Sequence, residues 1–366
     1  MRRAALFLLL LTGCTSTSIV IPLEWQSVPV ATRIRAVQLA ADGTVTTALQ
    51  PLRDKGVRVE GNRLMRGDQA LTEAFKAIDS FDVSESRGEV AFSAMRNDNF
   101  DIGLVSTDGS PVNWVPVESV DEVGVQWAPR GNKIGFIVRS KSGDFVRTVH
   151  IPTSAQLTVD FPNAKIHTLG WDPSGDRFAV AYSTPDTSDR VEVMRYRGAE
   201  RKVVIAPAEQ LAVDVAAFAP EAVTLRPREI EYGEKLPLVV WVDDQPFAWS
   251  DARAELIRNA RVACIVTRRL TDQIWSSVAG TPWIDPSRTF VVEWSGGLSA
   301  RRTDTGGLRA RRSTEIVITS DPALPPGRYR RNGSVVTAAP AVVQSFASRF
   351  IADQLKRTGP PNGSSQ

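Results

Sequence analysis

The stretch WDPSGDRFAVAYS, Trp171–Ser183, has counterparts elsewhere in the 366-residue chain. WAPRGNKIGFIV begins at Trp127 and shares the aromatic residue, the proline two positions later, the glycine turn, a basic residue and the apolar run that follows. FDVSESRGEVAFSA at Phe81 lacks the proline, and FAPEAVTL at Phe218 keeps the proline without the glycine. The first residues of these four stretches are 46, 44 and 47 positions apart. Such regular spacing predicts a repeated structural unit of about 45 residues.

Each repeat has the sequence pattern of several short antiparallel strands. An apolar run ends at the aromatic residue, a Pro/Gly turn follows, and a second apolar run comes next. RNDNFDIGLVSTDGS, Arg96–Ser110, adds a polar turn, a third strand and another turn. One small sheet cannot cover both of its faces, whereas sheets stacked side by side around an axis cover one another. The sequence therefore predicts an all-β fold, a β-propeller with blades of three to four antiparallel strands.

The repeat resembles that of a known propeller family. VAFSAMRNDNFDIGLVSTDGS, Val90–Ser110, is similar to the blade repeat of TolB-like (WD40-like) propellers, and the stretches at Trp127 and Trp171 resemble the strand–turn signature of that group. The resemblance covers about residues 70–196 and extends weakly to residue 226. It implies a β-propeller fold and a capacity to bind other proteins, but it does not imply a particular partner.

The propeller is expected over residues 27–339, with the clearest repeats in residues 70–226. At about 45 residues per blade, this length corresponds to six to seven blades. Upstream of the clear repeats, IRAVQLAADGTVTTALQPL and VRVEGNRLMRGDQALTEA alternate in polarity like hairpins, with turns at Asp42-Gly43 and Arg66-Gly67.

The end of the sequence has a different pattern. Residues 340–357 have apolar side chains at helical spacing, which predicts a C-terminal helix. The apolar positions are Val342, Val343, Phe346, Phe350, Ile351 and Leu355. Residues 358–366, TGPPNGSSQ, are expected to be a disordered tail.

The first residues have the pattern of an export signal. MRRAALFLLLLTGC has a basic start, a short apolar run and a small-residue site that ends in Cys14. Leu11–Cys14 resembles the lipobox of bacterial lipoproteins, which implies a signal peptide of residues 1–13, acylation of Cys14, with palmitate for example, and a lipidated tether over residues 14–26. Because Thr15 rather than aspartate follows the cysteine, the resemblance also implies the periplasmic face of the outer membrane.

Charge and cysteine content argue against a nucleic-acid-binding protein and against a disulfide-stabilised protein. The formal net charge of +3 falls to +1 without Arg2 and Arg3, so no nucleic-acid partner is expected. Cys14 and Cys264 are the two cysteines, and with Cys14 lipidated no internal disulfide is expected. Cys264 lies in the apolar run VACIV and is expected to be a small buried side chain rather than a nucleophile.

Two stretches in the last third of the chain resemble landmarks of the prolyl-oligopeptidase family, whose members carry a propeller before an α/β-hydrolase domain. KLPLVVWVDDQP begins at Lys235, and IDPSRTFVVEWSGG begins at Ile284. In that family the first stretch ends in a His-Gly-Gly-Pro turn, and the second carries the Gly-x-Ser-x-Gly-Gly nucleophile elbow. The resemblance would make Ser295 the nucleophile.

The residues that this hydrolase chemistry requires are missing. Glu293 stands where the elbow needs its first glycine, and Asp243–Gln245 replace the His-Gly-Gly turn. The catalytic base follows the serine in this fold, but the two histidines, His150 and His167, precede it. We therefore predict that the protein is not an enzyme and has no catalytic residues. The alternative is a propeller followed by a degenerate, inactive α/β-hydrolase domain.

No cofactor or metal site is expected. Asn97, Asn99 and Asp101 alternate as in a calcium loop, but the glycine and glutamate that such a loop needs are absent, which favours a blade turn. Two histidines and one free cysteine do not form a zinc site. The predicted function is that of a lipid-anchored, non-catalytic binding platform of the cell envelope. Its partners would be the membrane, through Cys14, and an envelope protein or cell-wall component on one propeller face.

Overall fold

The computed structural model describes most of the chain between residues 34 and 337. The described residues are 34, 36–48, 56–116, 119–219, 221–243, 245–294, 297–303, 315–319 and 333–337. The predicted signal peptide, Cys14 with its tether, the C-terminal helix and the tail lie outside these residues. The chain divides into two compact units. Residues 31–228 and 245–250 form what we call the repeat unit, and residues 229–244 and 251–366 belong to the C-terminal unit.

The repeat unit is built of short strands. In chain order these are β1 (Ala36–Leu39), β2 (Val45–Ala48), β3 (Val57–Glu60), β4 (Arg63–Arg66), β5 (Gln69–Ala70), β6 (Ile78–Ser84), β7 (Glu89–Met95), β8 (Phe100–Ser106), β9 (Asn113–Trp114), β10 (Glu122–Trp127), β11 (Lys133–Val138), β12 (Phe145–His150), β13 (Ala155–Asp160), β14 (Lys165–Trp171), β15 (Arg177–Thr184), β16 (Thr187–Arg195), β17 (Lys202–Ile205), β18 (Val213–Ala219) and β19 (Ala222–Pro227).

Consecutive strands pair antiparallel and form separate small sheets. Strands β6–β9, β10–β13 and β14–β17 make three four-stranded sheets, each in chain order, and β3–β5 make a three-stranded sheet. Strands β1 and β2 form a hairpin, as do β18 and β19. The predicted all-β propeller fold, with four-stranded antiparallel repeats, is confirmed in this region. The number of six to seven blades stays a prediction.

Adjacent sheets cover one another's faces, as the stacking argument requires. Phe92 of β7 packs with Leu64 of β4, and Ile102 of β8 packs with Phe136 of β11 in the next cluster. A third cluster joins β10–β13 to β14–β17 around Phe178. These side chains are fully buried. Because each cluster draws on two sheets, the repeats are stabilised by their neighbours.

The C-terminal unit has a different topology. Its elements are β20 (Leu236–Val242), α1 (Asp251–Asn259), β21 (Ala263–Thr267), α2 (Asp272–Ala279), β22 (Ile284–Trp294), β23 (Gly297–Thr303), β24 (Glu315–Thr319) and β25 (Gly333–Thr337). The strand order is β21-β20-β22-β23-β24-β25. Strand β20 is parallel to β21 and to β22, and a helix connects each consecutive pair among these three strands. Within the described residues, neither helix is long and apolar enough to cross a membrane.

The expectation that blades continue to residue 339 is wrong for residues 236–294. Propeller blades pair neighbouring strands antiparallel, whereas β20, β21 and β22 are parallel and need helical crossovers. Every residue of β20 and of β21 is buried, which is the pattern of a parallel strand covered on both faces. The segment SDARAELIRNA, residues 250–260, contains the crossover helix α1. The alternative, a degenerate α/β-hydrolase domain after the propeller, stays a prediction.

Candidate binding cleft

The repeated motif runs from a tryptophan to a basic residue, Trp127–Lys133 in one repeat and Trp171–Arg177 in the next. It forms a tight turn after the first strand of the repeat. In the turn after Trp127, the Ala128 N–H donates to Lys133 O at 2.9 Å and the Gly131 N–H donates to Ala128 O at 2.8 Å. Gly131 has φ +68°, in the left-handed region that other residues enter at a cost. In the turn after Trp171, the Asp172 N–H donates to Arg177 O and the Gly175 N–H donates to Asp172 O, both at 2.9 Å.

Turns from successive repeats lie against one another. A Cβ placed on Gly131 would come within 2.8 Å of the Ser84 hydroxyl and 2.7 Å of the Ser86 hydroxyl in the preceding repeat. A Cβ on Gly175 would lie 3.2 Å from the Cβ of Ala128. The glycine of the motif therefore has two roles. It adopts the positive φ that the turn requires, and its lack of a side chain leaves room for the turn of the neighbouring repeat.

Hydrogen bonds between the first strands of two repeats fix their spacing. Side-chain oxygens on β6 accept main-chain N–H groups of β10, each from a residue 45 positions further on. The pairs are Asp79 with Gly124 at 2.9 Å, Ser80 with Val125 at 3.1 Å and Asp82 with Trp127 at 2.9 Å. The repeat length seen in the sequence therefore equals the sequence separation of the residues that these hydrogen bonds join, which is 45 positions.

A cleft of about 420 Å³ lies where these turns meet. Residues 82–86, residues 126–129 and Trp171 line it. The lining therefore comes from three successive repeats, and the two tryptophans of the motif form its aromatic part. Loops held by a rigid sheet scaffold are the usual place for a binding site.

The charged side chains that line the cleft are acidic. Asp82 is 1% exposed, and its two carboxylate oxygens accept the N–H groups of Val83 and Trp127. Glu85 is exposed, and no ion pair joins it to another described residue. Arg87 pairs with Glu89 at 2.5 Å, and its guanidinium lies 5.7 Å from the centre of the Trp127 ring. A ligand with hydrogen-bond donors or positive charge would complement Glu85.

Trp127 and Trp171 are packing residues first. They are 5% and 8% exposed. Trp171 packs edge-on to Phe178, with ring centroids 5.4 Å apart, and lies over Gly135, where a Cβ would approach its ring to 3.0 Å. The two rings that line the cleft are therefore rigidly held and largely buried.

The histidines are structural within the described residues. His150 Nδ1 lies 2.8 Å from Thr153 Oγ1 in a turn. His167 Nε2 lies 3.0 Å from Asp189 Oδ1 and 3.1 Å from Ser183 Oγ. Although these are the residue types of a serine-hydrolase triad, both partners meet the same ring nitrogen. In a triad the carboxylate binds one nitrogen and leaves the other for the serine.

The C-terminal unit lacks the local geometry of a nucleophile elbow in its described part. The elbow is a strand-to-helix turn, but β22 is followed by β23, which pairs with it antiparallel and places Trp294 opposite Leu298. Ser295 itself lies outside the described residues. Cys264 of β21 is fully buried, and this burial raises the pKa of its thiol to about 12, so it is protonated at neutral pH.

The calcium-like spacing at Asn97, Asn99 and Asp101 belongs to a contact between repeats. Asn99 donates from Nδ2 to Asp101 Oδ1 at 2.6 Å and to Val120 O at 3.2 Å. Burial raises the pKa of Asp101, which disfavours its charged form. Among the described residues, no group of three or more potential metal ligands occurs.

Solved structures share the fold of this chain in part, while no family model and no curated protein sequence matches it. A TolB of Agrobacterium tumefaciens is 16% identical, with a TM-score of 0.34 over 40% of this chain and 57% of that one. An acylaminoacyl peptidase of Pyrococcus horikoshii is 10% identical, with a TM-score of 0.47 over 63% of this chain and 42% of that one. A chain of a nidogen/laminin complex is 13% identical, with a TM-score of 0.33 over 47% of this chain and 65% of that one. This chain thus covers less than two thirds of each, and what they share with it is fold alone.

Proposed function

We propose that this protein is a lipid-anchored, non-catalytic β-propeller of the cell envelope that binds a protein partner at the cleft. The observation that carries the proposal is the convergence of three repeats on one cleft with two tryptophans and the exposed carboxylate of Glu85. The anchor would be Cys14, in the lipobox-like sequence Leu11–Cys14, on the periplasmic face of the outer membrane.

The same proposal treats the C-terminal unit as a degenerate α/β-hydrolase-like unit without activity. Its parallel strands with helical crossovers favour this alternative over further blades. The absence of a histidine after His167 in this sequence supports inactivity, because the serine would have no base. An ester probe tests this point: hydrolysis that is lost in Ser295→Ala would overturn it.

The cleft is tested by charge reversal at Glu85. The mature protein is used to capture binding partners from membranes, and the recovered proteins are identified by mass spectrometry. Glu85→Lys should lower recovery of the cleft partner at least tenfold, because the new ammonium replaces the one unpaired carboxylate of the lining. Glu73→Lys is the matched control, since Glu73 is also exposed but lies outside the cleft. Equal losses in both variants, or in neither, would reject the cleft as the site.

The anchor and the cell-wall alternative have separate tests. Cys14→Ser should move the protein out of the membrane fraction if acylation of the thiol holds it there, and continued membrane association would reject the anchor. Retention on isolated peptidoglycan that Glu85→Lys does not reduce would favour a cell-wall partner at another surface.

A further inference from the structure

One face of the sheet in the C-terminal unit carries a continuous row of apolar residues. The backbone register places Trp294 of β22 beside Leu298 of β23. Leu298 in turn lies beside Ile318 of β24, and Ile318 lies beside Val336 of β25. Paired residues of neighbouring strands belong to the same face of a sheet. The row therefore crosses four strands, and we call the face that contains it the apolar face.

The opposite face of β23–β25 has a different composition. Its positions are Ser299, Arg301 and Thr303 in β23, Glu315, Val317 and Thr319 in β24, and Gly333, Val335 and Thr337 in β25. Hydroxyl and charged residues predominate there, and the register puts Arg301 opposite Glu315. A sheet with one apolar and one polar face packs the apolar face against other parts of the protein and leaves the polar face to water. The apolar face of β23–β25 therefore requires a cover.

The two described helices belong to the other end of the sheet. Helix α1 connects β20 to β21, and α2 connects β21 to β22. Because β21 and β22 lie on opposite sides of β20, right-handed crossovers place the two helices on opposite faces. Among the described residues no helix follows β22, so the described connections supply none for β23–β25.

The chain beyond β25 has the sequence of a matching element. Residues 340–357 lie outside the described residues, and their apolar positions recur at helical spacing. Pro340 stands at the start of this range, where a helix favours proline, and Lys356 and Arg357 stand at its end, where a helix favours cations. A helix over this range would be about 27 Å long. It would therefore span the five-residue strands β24 and β25, whose length is about 17 Å.

We propose that residues 340–357 form an amphipathic helix that packs on the apolar face and covers β23–β25. The helix would start three positions after Thr337, the last residue of β25. A tether this short gives the segment a far higher effective concentration at the face than a second chain has. Val342, Phe346 and Phe350 would meet the apolar row. The proposal depends neither on the cleft nor on the lipid anchor.

Hydrogen exchange of the full-length chain tests the packing through two variants of β24. Ile318→Asp places a carboxylate on the apolar face, so exchange of residues 340–357 should rise at least tenfold as the helix loses its site. Thr319→Asp is the matched control, because it introduces the same carboxylate at the next position of the strand, on the opposite face. It should leave exchange of residues 340–357 unchanged.

A second pair of variants changes the segment instead, so that the test does not depend on whether Ile318→Asp folds. Phe346→Asp should raise exchange at least tenfold in residues 340–357 and in β23–β25, because the helix would leave and uncover the sheet. Ser345→Asp, on the opposite side of the proposed helix, should leave both regions unchanged.

Three results would overturn the proposal. If residues 340–357 of the natural chain exchange as fast as an unstructured peptide, they cover nothing. If Phe346→Asp and Ser345→Asp have the same effect, the segment does not pack through its apolar side. Light scattering could also show a dimer that Ile318→Asp dissociates while exchange of residues 340–357 stays the same. In that case a second copy of the chain covers the face instead.

Discussion

The repeat unit and the C-terminal unit use apolar strands of similar length, but they connect them in opposite ways. In the repeat unit, β6 to β17 turn back on themselves after a few residues, and each sheet is covered by the next sheet. In the C-terminal unit, β20, β21 and β22 run in the same direction, and a helix separates each consecutive pair. The contrast shows that strand content alone does not identify a propeller, since the connection between strands decides what covers each face.

The largest expected effect comes from a charge placed in the middle of the parallel strands. Val240 is fully buried between β21 and β22. Val240→Asp should destabilise the C-terminal unit by more than about 4 kcal/mol, because an unpaired carboxylate would be buried there. Hydrogen exchange should show lost protection in β20–β22, with protection of β7, β11 and β15 retained.

The matched control for this change is Val59→Asp. Val59 is 45% exposed on β3, so the same substitution should change stability by less than about 0.5 kcal/mol. Loss of protection in both units of Val240→Asp would show that they unfold together, which would weaken the distinction between them.

A smaller effect is expected from the turn glycine that brings two repeats together. Gly131→Ala should destabilise the repeat unit by about 1–2 kcal/mol from backbone strain at positive φ, with a further loss from contact with Ser84 and Ser86. Gly61→Ala isolates the strain, because Gly61 has φ +56° and nothing within 4 Å of an added Cβ. The difference between the two variants in denaturant unfolding measures the contact between turns. Equal values would show that the turns do not touch.

The repeat could be predicted from the sequence because its signals are local. Trp127 and Trp171 each precede a proline and a glycine at fixed positions, and those residues build one turn. The β1–β2 hairpin has Leu39 in place of the tryptophan and a turn one residue shorter, so the motif is absent there although Gly43 keeps a positive φ. The Asp189–Ile34 bond joins residues 155 positions apart, and no local pattern indicates it.

The C-terminal unit was harder to predict, for a physical reason. A run such as LPLVVWV in β20 has no alternation of polarity, so it fits a strand buried on both faces in either direction of pairing. The direction depends on α1 and α2, which are only nine and eight residues long. The cleft was foreseen only as a face of the propeller, since its lining combines three repeats and Glu85 has no distinguishing neighbours in the sequence.

The cap of α2 gives an effect of about 1 kcal/mol confined to the C-terminal unit. Thr271 accepts the N–H of Ile274 at 3.3 Å with its side-chain oxygen. Thr271→Ala removes this acceptor and should cost about 1 kcal/mol, whereas Thr271→Ser should retain most of the stability. Thermal unfolding followed by circular dichroism distinguishes them, and equal stability of the two variants would contradict the cap.

The smallest effect is expected at the ion pair of Glu234 with Arg261, and it depends on pH. Arg261 bonds both carboxylate oxygens, at 2.6 and 2.7 Å, and lowers the pKa of Glu234 from 4.5 to about 2. Because the folded-state pKa is depressed, the pair stabilises the protein above pH 4.5 and loses that contribution as the pH falls toward 2. Arg261 is half exposed, so solvent screening keeps the contribution to roughly 0.2–1 kcal/mol.

Glu234→Gln should therefore be slightly less stable than the natural chain at pH 7 and match it near pH 2. Glu73→Gln, at an exposed position of the repeat unit, should follow the natural chain throughout. A constant difference for Glu234→Gln across this range would mean that the stability of the C-terminal unit does not depend on this charge.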